Sequence, residues 1–263
     1  VDLSIFLIFN RLKKNILMNR LIILTGPSCI GKSPLDKALR RFYPGIRENM
    51  QKLVLYNDRS PRPGEMEGVD YYFRKKEQIE AFRLDGDYIV MGVRGDLQAL
   101  NLKELSGMLE KSHVFFEGNP YVAEILTTHP QLKDYPKLSV FLSPLSKEEI
   151  IYFKNPQRNV RLPDLITEIM RRKLLRRKTR QKVELSVIDL DDIETRASSA
   201  YREMKLAWQF DHVIPNHDGE DSDNWENFYY PIGDARKTML AFVTLLQGGT
   251  PEGIETWEEG LLK

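Results

Sequence analysis

Between Leu21 and Phe42 the chain runs through an apolar pentapeptide, a glycine-bounded loop and a helix-like stretch, and few folds accommodate that succession. Leu21–Thr25 is continuously apolar up to its last residue and is closed by Gly26 and Pro27, which predicts a strand buried on both faces of a parallel sheet. A helix is expected from about Ser33 to Phe42, stopping near Pro44 and Gly45. Gly26-Pro27-Ser28-Cys29-Ile30-Gly31-Lys32-Ser33 between them matches the spacing G-x-x-x-x-G-K-[ST]. Glycines let backbone N–H groups turn inward around phosphate oxygens, and the helix N-terminus adds partial positive charge. Gly26, Ser28, Cys29, Ile30, Gly31, Lys32, Ser33 and Pro34 are therefore expected to hold ATP. Lys32 would act on the β- and γ-phosphates, and the Ser33 hydroxyl would ligate Mg²⁺. Pro34 is tolerated in the first helical turn but removes one potential phosphate donor. A glycine turn that binds nothing would leave the pairing of Lys32 with Ser33 at this offset unexplained.

Further apolar runs at Val114–Phe116, Leu138–Leu142 and Phe210–Ile214, separated by helical stretches, predict an α/β fold with a parallel central sheet covered on both faces. Residues 53–100, rich in Pro, Gly, Arg and Tyr near their start, are expected to form a small strand-rich insertion. Residues 146–207 are expected to be helical and highly charged. The acidic and aromatic segment 218–234 reads as an irregular loop. Asp234–Leu246 reads as a last helix, with a polar and disordered tail over 247–263. Residues 1–17 open with an apolar run followed by Arg11, Lys13 and Lys14, the reverse of a secretory signal, and read as an extension preceding the domain. The single cysteine, Cys29, excludes an intrachain disulfide framework and fits the cytoplasm, and four scattered histidines leave no zinc cluster. A net charge of +1 gives no global reason to expect a nucleic-acid or membrane partner.

Two stretches carry concentrated charge. Arg59 and Arg62, set among Pro61 and Pro63, form a stiff cationic pair suited to a phosphate dianion, and Tyr71 can add a phenolic hydrogen bond; the competing reading is a solvated turn. Arg171, Arg172, Lys173, Arg176, Arg177, Lys178, Arg180 and Lys182 crowd one helical stretch. Phosphoryl transfer is catalysed chiefly by positioning and by cations around the transferring group, which a mobile basic lid supplies. A solvated basic face and a nucleic-acid patch are the alternatives, and the second lacks interleaved aromatic residues.

These motifs resemble the guanylate kinase family. The phosphate loop is similar to that family's G-P-S-G-x-G-K-S-T, and Arg59–Phe73 to its R-x-P-R-x-G-E-x-x-G-x-D-Y-x-F. Phe141–Ile150, Asp192–Met204 and Phe210–Asn216 resemble three later segments in the family's order, so the resemblance spans most of residues 19–217. It implies a P-loop NTPase three-layer fold carrying an acceptor-binding insertion (about 53–100) and a helical lid (about 146–191) within a domain of residues 18–246. It further implies ATP-dependent phosphoryl transfer to a nucleoside monophosphate, GMP or dGMP by default. Arg59, Arg62 and Tyr71 would hold the acceptor phosphate with Glu65 in support, and Glu117 would read the guanine base. Arg196 and either Arg176 or Arg177 would act on the transferring phosphoryl group. Asn216 would contact the adenine of ATP.

Departures concentrate at the acceptor base. Val90 stands where the family usually has a second base-reading carboxylate, with Asp87 a nearby substitute. Leu55 replaces a serine, Leu97–Leu100 lacks matching hydroxyls, and Asn119 replaces an acid. Phosphate-gripping positions are thus kept while base-reading positions change. Two other functions share these features: a P-loop kinase for a different phosphate-bearing small molecule, and a non-catalytic protein-binding module built on the same fold. Retention of Lys32 and Ser33 favours an enzyme.

Overall fold

The computed structural model describes residues 19–62 and 64–263; the expected N-terminal extension and Pro63 lie outside the described residues. Nine strands follow in chain order: β1 Leu21–Thr25, β2 Met50–Lys52, β3 Leu55–Asn57, β4 Tyr71–Phe73, β5 Tyr88–Val93, β6 Asp96–Asn101, β7 His113–Gly118, β8 Lys137–Ser143 and β9 His212–Pro215. Five of them form a central sheet in the order β2-β7-β1-β8-β9, every pairing parallel. The others form a separate sheet in the order β4-β3-β6-β5, from the stretch expected to be an insertion.

The helices are α1 Lys32–Phe42, α2 Pro44–Arg47, α3 Lys76–Ala81, α4 Leu102–Lys111, α5 Pro120–Thr128, α6 Lys147–Lys154, α7 Leu162–Gln181, α8 Val187–Met204 and α9 Gly233–Leu246. All five residues of β1 are buried because helices cover both faces of the sheet. Ile22 and Leu24 pack on one side with Leu35 and Leu39 of α1 and with Met239 and Phe242 of α9. Leu21 and Ile23 pack on the other with Val122 and Leu126 of α5, Ile166 and Met170 of α7, and Ala197 of α8. That alternation is the two-residue period of a strand read out in three layers. Leu55, Ile89, Met91, Val93 and Leu100 of the inserted sheet belong to the same hydrophobic cluster as Leu21, so the insertion shares the main core.

The C-terminal segment differs from the expected disordered tail. Val213 and Glu255 exchange backbone hydrogen bonds of 2.8 Å in both directions, and Trp257 and Leu262 are buried. Glu255 also accepts from the Lys147 backbone, and Tyr201 Oη donates to the Leu262 carbonyl at 2.9 Å. The physical reason is the open edge of β9: its unpaired backbone groups and an apolar crevice beside α8 recruit the few large apolar residues of an otherwise polar segment. Segment 218–234 is irregular apart from a short 3₁₀ turn at Asp223–Trp225, as expected, yet it is internally braced. Asp218 accepts from Ser222, Asn224 and the backbone of Ala235.

Candidate functional site

The loop between β1 and α1 sits at the carboxyl ends of the parallel strands, where open α/β sheets present ligand crevices. Its glycines are required by geometry. A Cβ on Gly26, at φ 142°, would lie 2.4 Å from the Leu142 carbonyl oxygen, and one on Gly31, at φ 106°, would lie 2.6 Å from Asn216 Nδ2. Lys32 is buried and folds back over the loop, its Nζ donating to the carbonyls of Gly26 (2.9 Å) and Pro27 (2.8 Å). Burial depresses its pKa, with the carboxylates of Glu220, Glu117 and Glu203 opposing that shift. Cys29 is buried beside them, and burial first, then Glu220, pushes its thiol up to about 12, which favours the neutral thiol. Ser28 Oγ accepts from Arg94 at 3.1 Å, and Arg94 is in turn held by the fully buried Glu203 of α8.

Glu117, expected at the acceptor base, lies beside the phosphate loop. At the end of β7, paired with Leu24 of β1, its carboxylate accepts the Ser33 hydroxyl at 2.7 Å. Burial raises its pKa, partly offset by Ser33 and Lys32. The register of β7 against β1 decides this, and that register is invisible in a linear motif.

Asn216, expected at the adenine of ATP, lies against the phosphate loop. It is fully buried, its Nδ2 donating to Ile30 O (2.7 Å) and Asp218 O (2.8 Å) and its Oδ1 accepting from Asp218 N (3.1 Å). Both donors of the side-chain amide nitrogen are thus spent within the protein, while the amide oxygen accepts one of the two bonds it can take. Asn216 is a brace between β9 and the phosphate loop. Asn216→Ala leaves the buried Ile30 carbonyl without this partner and removes two further bonds to the half-buried Asp218 backbone, and is expected to destabilise the protein by about 2 kcal/mol. A chemical denaturation midpoint equal to that of the wild type would refute the brace.

The cationic pair of the insertion is ordered by Glu65. Arg59 Nη1 and Nη2 donate to its carboxylate at 2.7 and 2.6 Å, and the Arg62 backbone N–H donates at 2.7 Å. Burial alone would raise the Glu65 carboxyl, but these bonds bring it below its ordinary value. The Arg59 guanidinium lies 5.1 Å from the Tyr71 ring centroid and 5.7 Å from that of Phe73. Asp192 of α8 takes Arg62 at 3.5 Å and Arg196 at 3.0 Å, tying the insertion to α8. Burial, then the neighbouring Arg62, lowers Arg196 to about 10, with the Asp192 carboxylate opposing that shift. A cavity of about 810 Å³ opens here, lined by Arg62, Glu65, Arg177, Asp192 and Arg196 among others.

A second cavity of about 410 Å³ starts at Ser33 and Pro34 and is walled by Arg177, Arg180, Trp225 and Asn227. Arg177 and Gln181 line both cavities. Arg176 points elsewhere, 74% exposed and 3.8 Å from Asp221. Helical phase separates these two neighbours by about 100°.

The inner face of the inserted sheet carries Leu55, Ile89, Met91, Gln98 and Leu100, all buried, and one carboxylate at its edge, Asp96, which pairs with Val93 and lies 3.9 Å from Arg59. Val90 projects to the opposite face, so Ile89 occupies the inner position. Asp87 pairs with Lys103 at the start of β5, the far end of that strand from Arg59. Asn119 caps α5 by accepting from Tyr121 N at 2.8 Å. Sequence reasoning missed Glu220 and Asp192. The second stood one helical turn from Arg196, a signal that could have found it; Glu220 sits in a segment without periodicity.

Similarity to known proteins agrees with this arrangement. A sequence model of the family described as guanylate kinase matches residues 18–103. A guanylate kinase of Corynebacterium jeikeium is 30% identical over 208 residues, covering 76% of this chain and 89% of that protein. One from Synechococcus sp. is 29% identical over 213 residues, covering 81% and 82% respectively. The crystal structure of guanylate kinase from Anaplasma phagocytophilum shares the fold, with a TM-score of 0.50 at 19% identity over 88% of this chain and 86% of that one.

Proposed function

The chain belongs to the guanylate kinase family, and we propose that it transfers the γ-phosphoryl group of ATP to GMP. One observation carries the reading: two cavities, one opening from the phosphate loop and one carrying Arg62 and Arg196, meet at Arg177. That is the layout an in-line transfer between two bound nucleotides requires.

In this reading the triphosphate lies on the loop amides and the N-terminus of α1. Lys32 exchanges its two carbonyl partners for phosphate oxygens, at little cost because neutral carbonyls are weaker acceptors than phosphate. The Ser33 hydroxyl beside Glu117 is a hard oxygen donor set and fits Mg²⁺, which when bound neutralises developing phosphate charge. Arg59, Arg62 and Tyr71 take the acceptor phosphate, with Glu65 holding both arginines in place. Arg177 and Arg196 face the space between donor and acceptor. No base is needed, because the attacking phosphate oxygen is already anionic near neutral pH. The inner face of the inserted sheet offers the acceptor base apolar side chains, the Gln98 amide and the Asp96 carboxylate. No helix among the described residues is long and apolar enough to cross a membrane, and a cytoplasmic enzyme is proposed.

The test is a coupled ADP-release assay with ATP, Mg²⁺ and, in turn, GMP, dGMP, AMP, CMP and UMP. GMP or dGMP is expected to give the highest kcat/KM. Preference for another monophosphate would move the acceptor assignment, and failure of all five would remove the kinase reading.

A further inference from the structure

The acidic segment after β9 does more than fill a loop. Glu220 is held in place by its own backbone, its N–H donating to the Cys29 carbonyl of the phosphate loop at 3.1 Å. Asp218 anchors the segment from within, through Ser222, Asn224 and Ala235. The Glu220 carboxylate therefore has a fixed address beside the loop, and it accepts from Arg177 Nη1 at 2.5 Å. The neighbouring anions repeat the pattern along α7: Asp221 lies 3.7 Å from Lys173 and 3.8 Å from Arg176, and Asp223 lies 2.9 Å from Arg180. Four lid cations are thus paired with the segment rather than left for a ligand.

Arg177 is the cation that matters, since it lines both cavities, and its Nε is buried without a hydrogen-bond partner. An arginine in that position should present its fork to phosphate oxygens. Here a carboxylate of this same chain accepts from it. The geometry points to Glu220 as an intramolecular competitor of the donor phosphates: it holds Arg177 until ATP arrives, must release it for transfer, and so sets the affinity for ATP. This rests on the proposed donor site at the phosphate loop. A fixed negative charge within a few ångströms of an incoming triphosphate also opposes binding directly, by an amount that shrinks with salt. Glu220 is a positioning residue in this scheme, acting on the reaction through Arg177.

Removing the charge while keeping the shape tests it. Glu220→Gln is expected to tighten ATP binding about tenfold, measured as Kd by titration calorimetry at low ionic strength. KM for ATP should fall in parallel, while kcat with GMP stays within about threefold. A purely structural Glu220 predicts the opposite sign, with ATP binding weakened or unchanged, and that result overturns the proposal. Wild-type protein that fails to bind ATP at all would instead overturn the donor-site reading. Should the variant not fold, the wild type still decides the matter through the Arg177 Nε–H resonance, assigned by its loss in Arg177→Lys. That resonance is expected to shift on adding a non-hydrolysable ATP analogue with Mg²⁺. A resonance that stays in place while the analogue binds means the pair with Glu220 never opens, and the proposal fails.

Discussion

Arg177→Ala is expected to lower kcat about a thousandfold, whereas Arg176→Ala should change it by less than about threefold. The two residues are adjacent in sequence and identical in chemistry, so the contrast isolates position. Arg177 lines both cavities and is mostly buried, with its side chain 21% exposed. Arg176 is 74% exposed and its nearest anion, Asp221, lies 3.8 Å away, a surface pairing of small consequence. An arginine that reaches the transferring group contributes mainly in the transition state, so the loss should fall on kcat at saturating ATP and GMP more than on either KM. Equal damage from the two substitutions, or greater damage from Arg176→Ala, would mean that α7 presents a different face during transfer.

Lys32→Ala should cost about a thousandfold in kcat/KM for ATP, because no other described cation sits inside the loop. The lysine is buried against the two carbonyls of Gly26 and Pro27, and the acids around it, Glu117 and Glu220, would be left facing the triphosphate without compensation. Repulsion by those carboxylates should weaken ATP binding as well as slow the chemistry, so the loss is expected in both KM and kcat. Steady-state kinetics with varied ATP at fixed GMP measures it. Wild-type rates in this variant would exclude the loop as the donor site.

Much of the architecture was legible because it depends on short-range patterns. The continuous apolar run of β1, the glycines at positions 26 and 31, and the 3.6-residue period of α1 each report a local physical requirement: burial on two faces, a backbone turn without a Cβ, an amphipathic helix. The Arg59–Arg62 pair was equally readable, since its partner Glu65 lies three residues beyond Arg62 and the contact is made within one turn. The functional class followed from the same local features, and the family relationship agrees with it.

What the linear sequence could not decide was which distant residues share a space. The place of Glu117 in a motif suggests the acceptor base, and only the parallel register of β7 on β1 shows that it lies against Ser33. The place of Asn216 in a motif suggests adenine, and closure of β9 on β8 buries its amide against the phosphate loop. The terminal segment looked polar and free because its buried residues, Trp257 and Leu262, are few; the crevice that receives them exists only once α8 and β9 are packed. Which of Arg176 and Arg177 faces the two cavities depends on the rotation of α7 about its axis, fixed by the burial of Ile166, Met170 and Leu174. The sequence by itself therefore determined the strand–loop–helix unit, the Arg59–Glu65 cluster and the kind of reaction, and the first two rest on contacts between near neighbours. Only the tertiary structure decided where Glu117, Asn216, Arg177 and Glu220 sit relative to the phosphate loop, because those placements depend on strand register and helix rotation, and the hydrophobic core sets both.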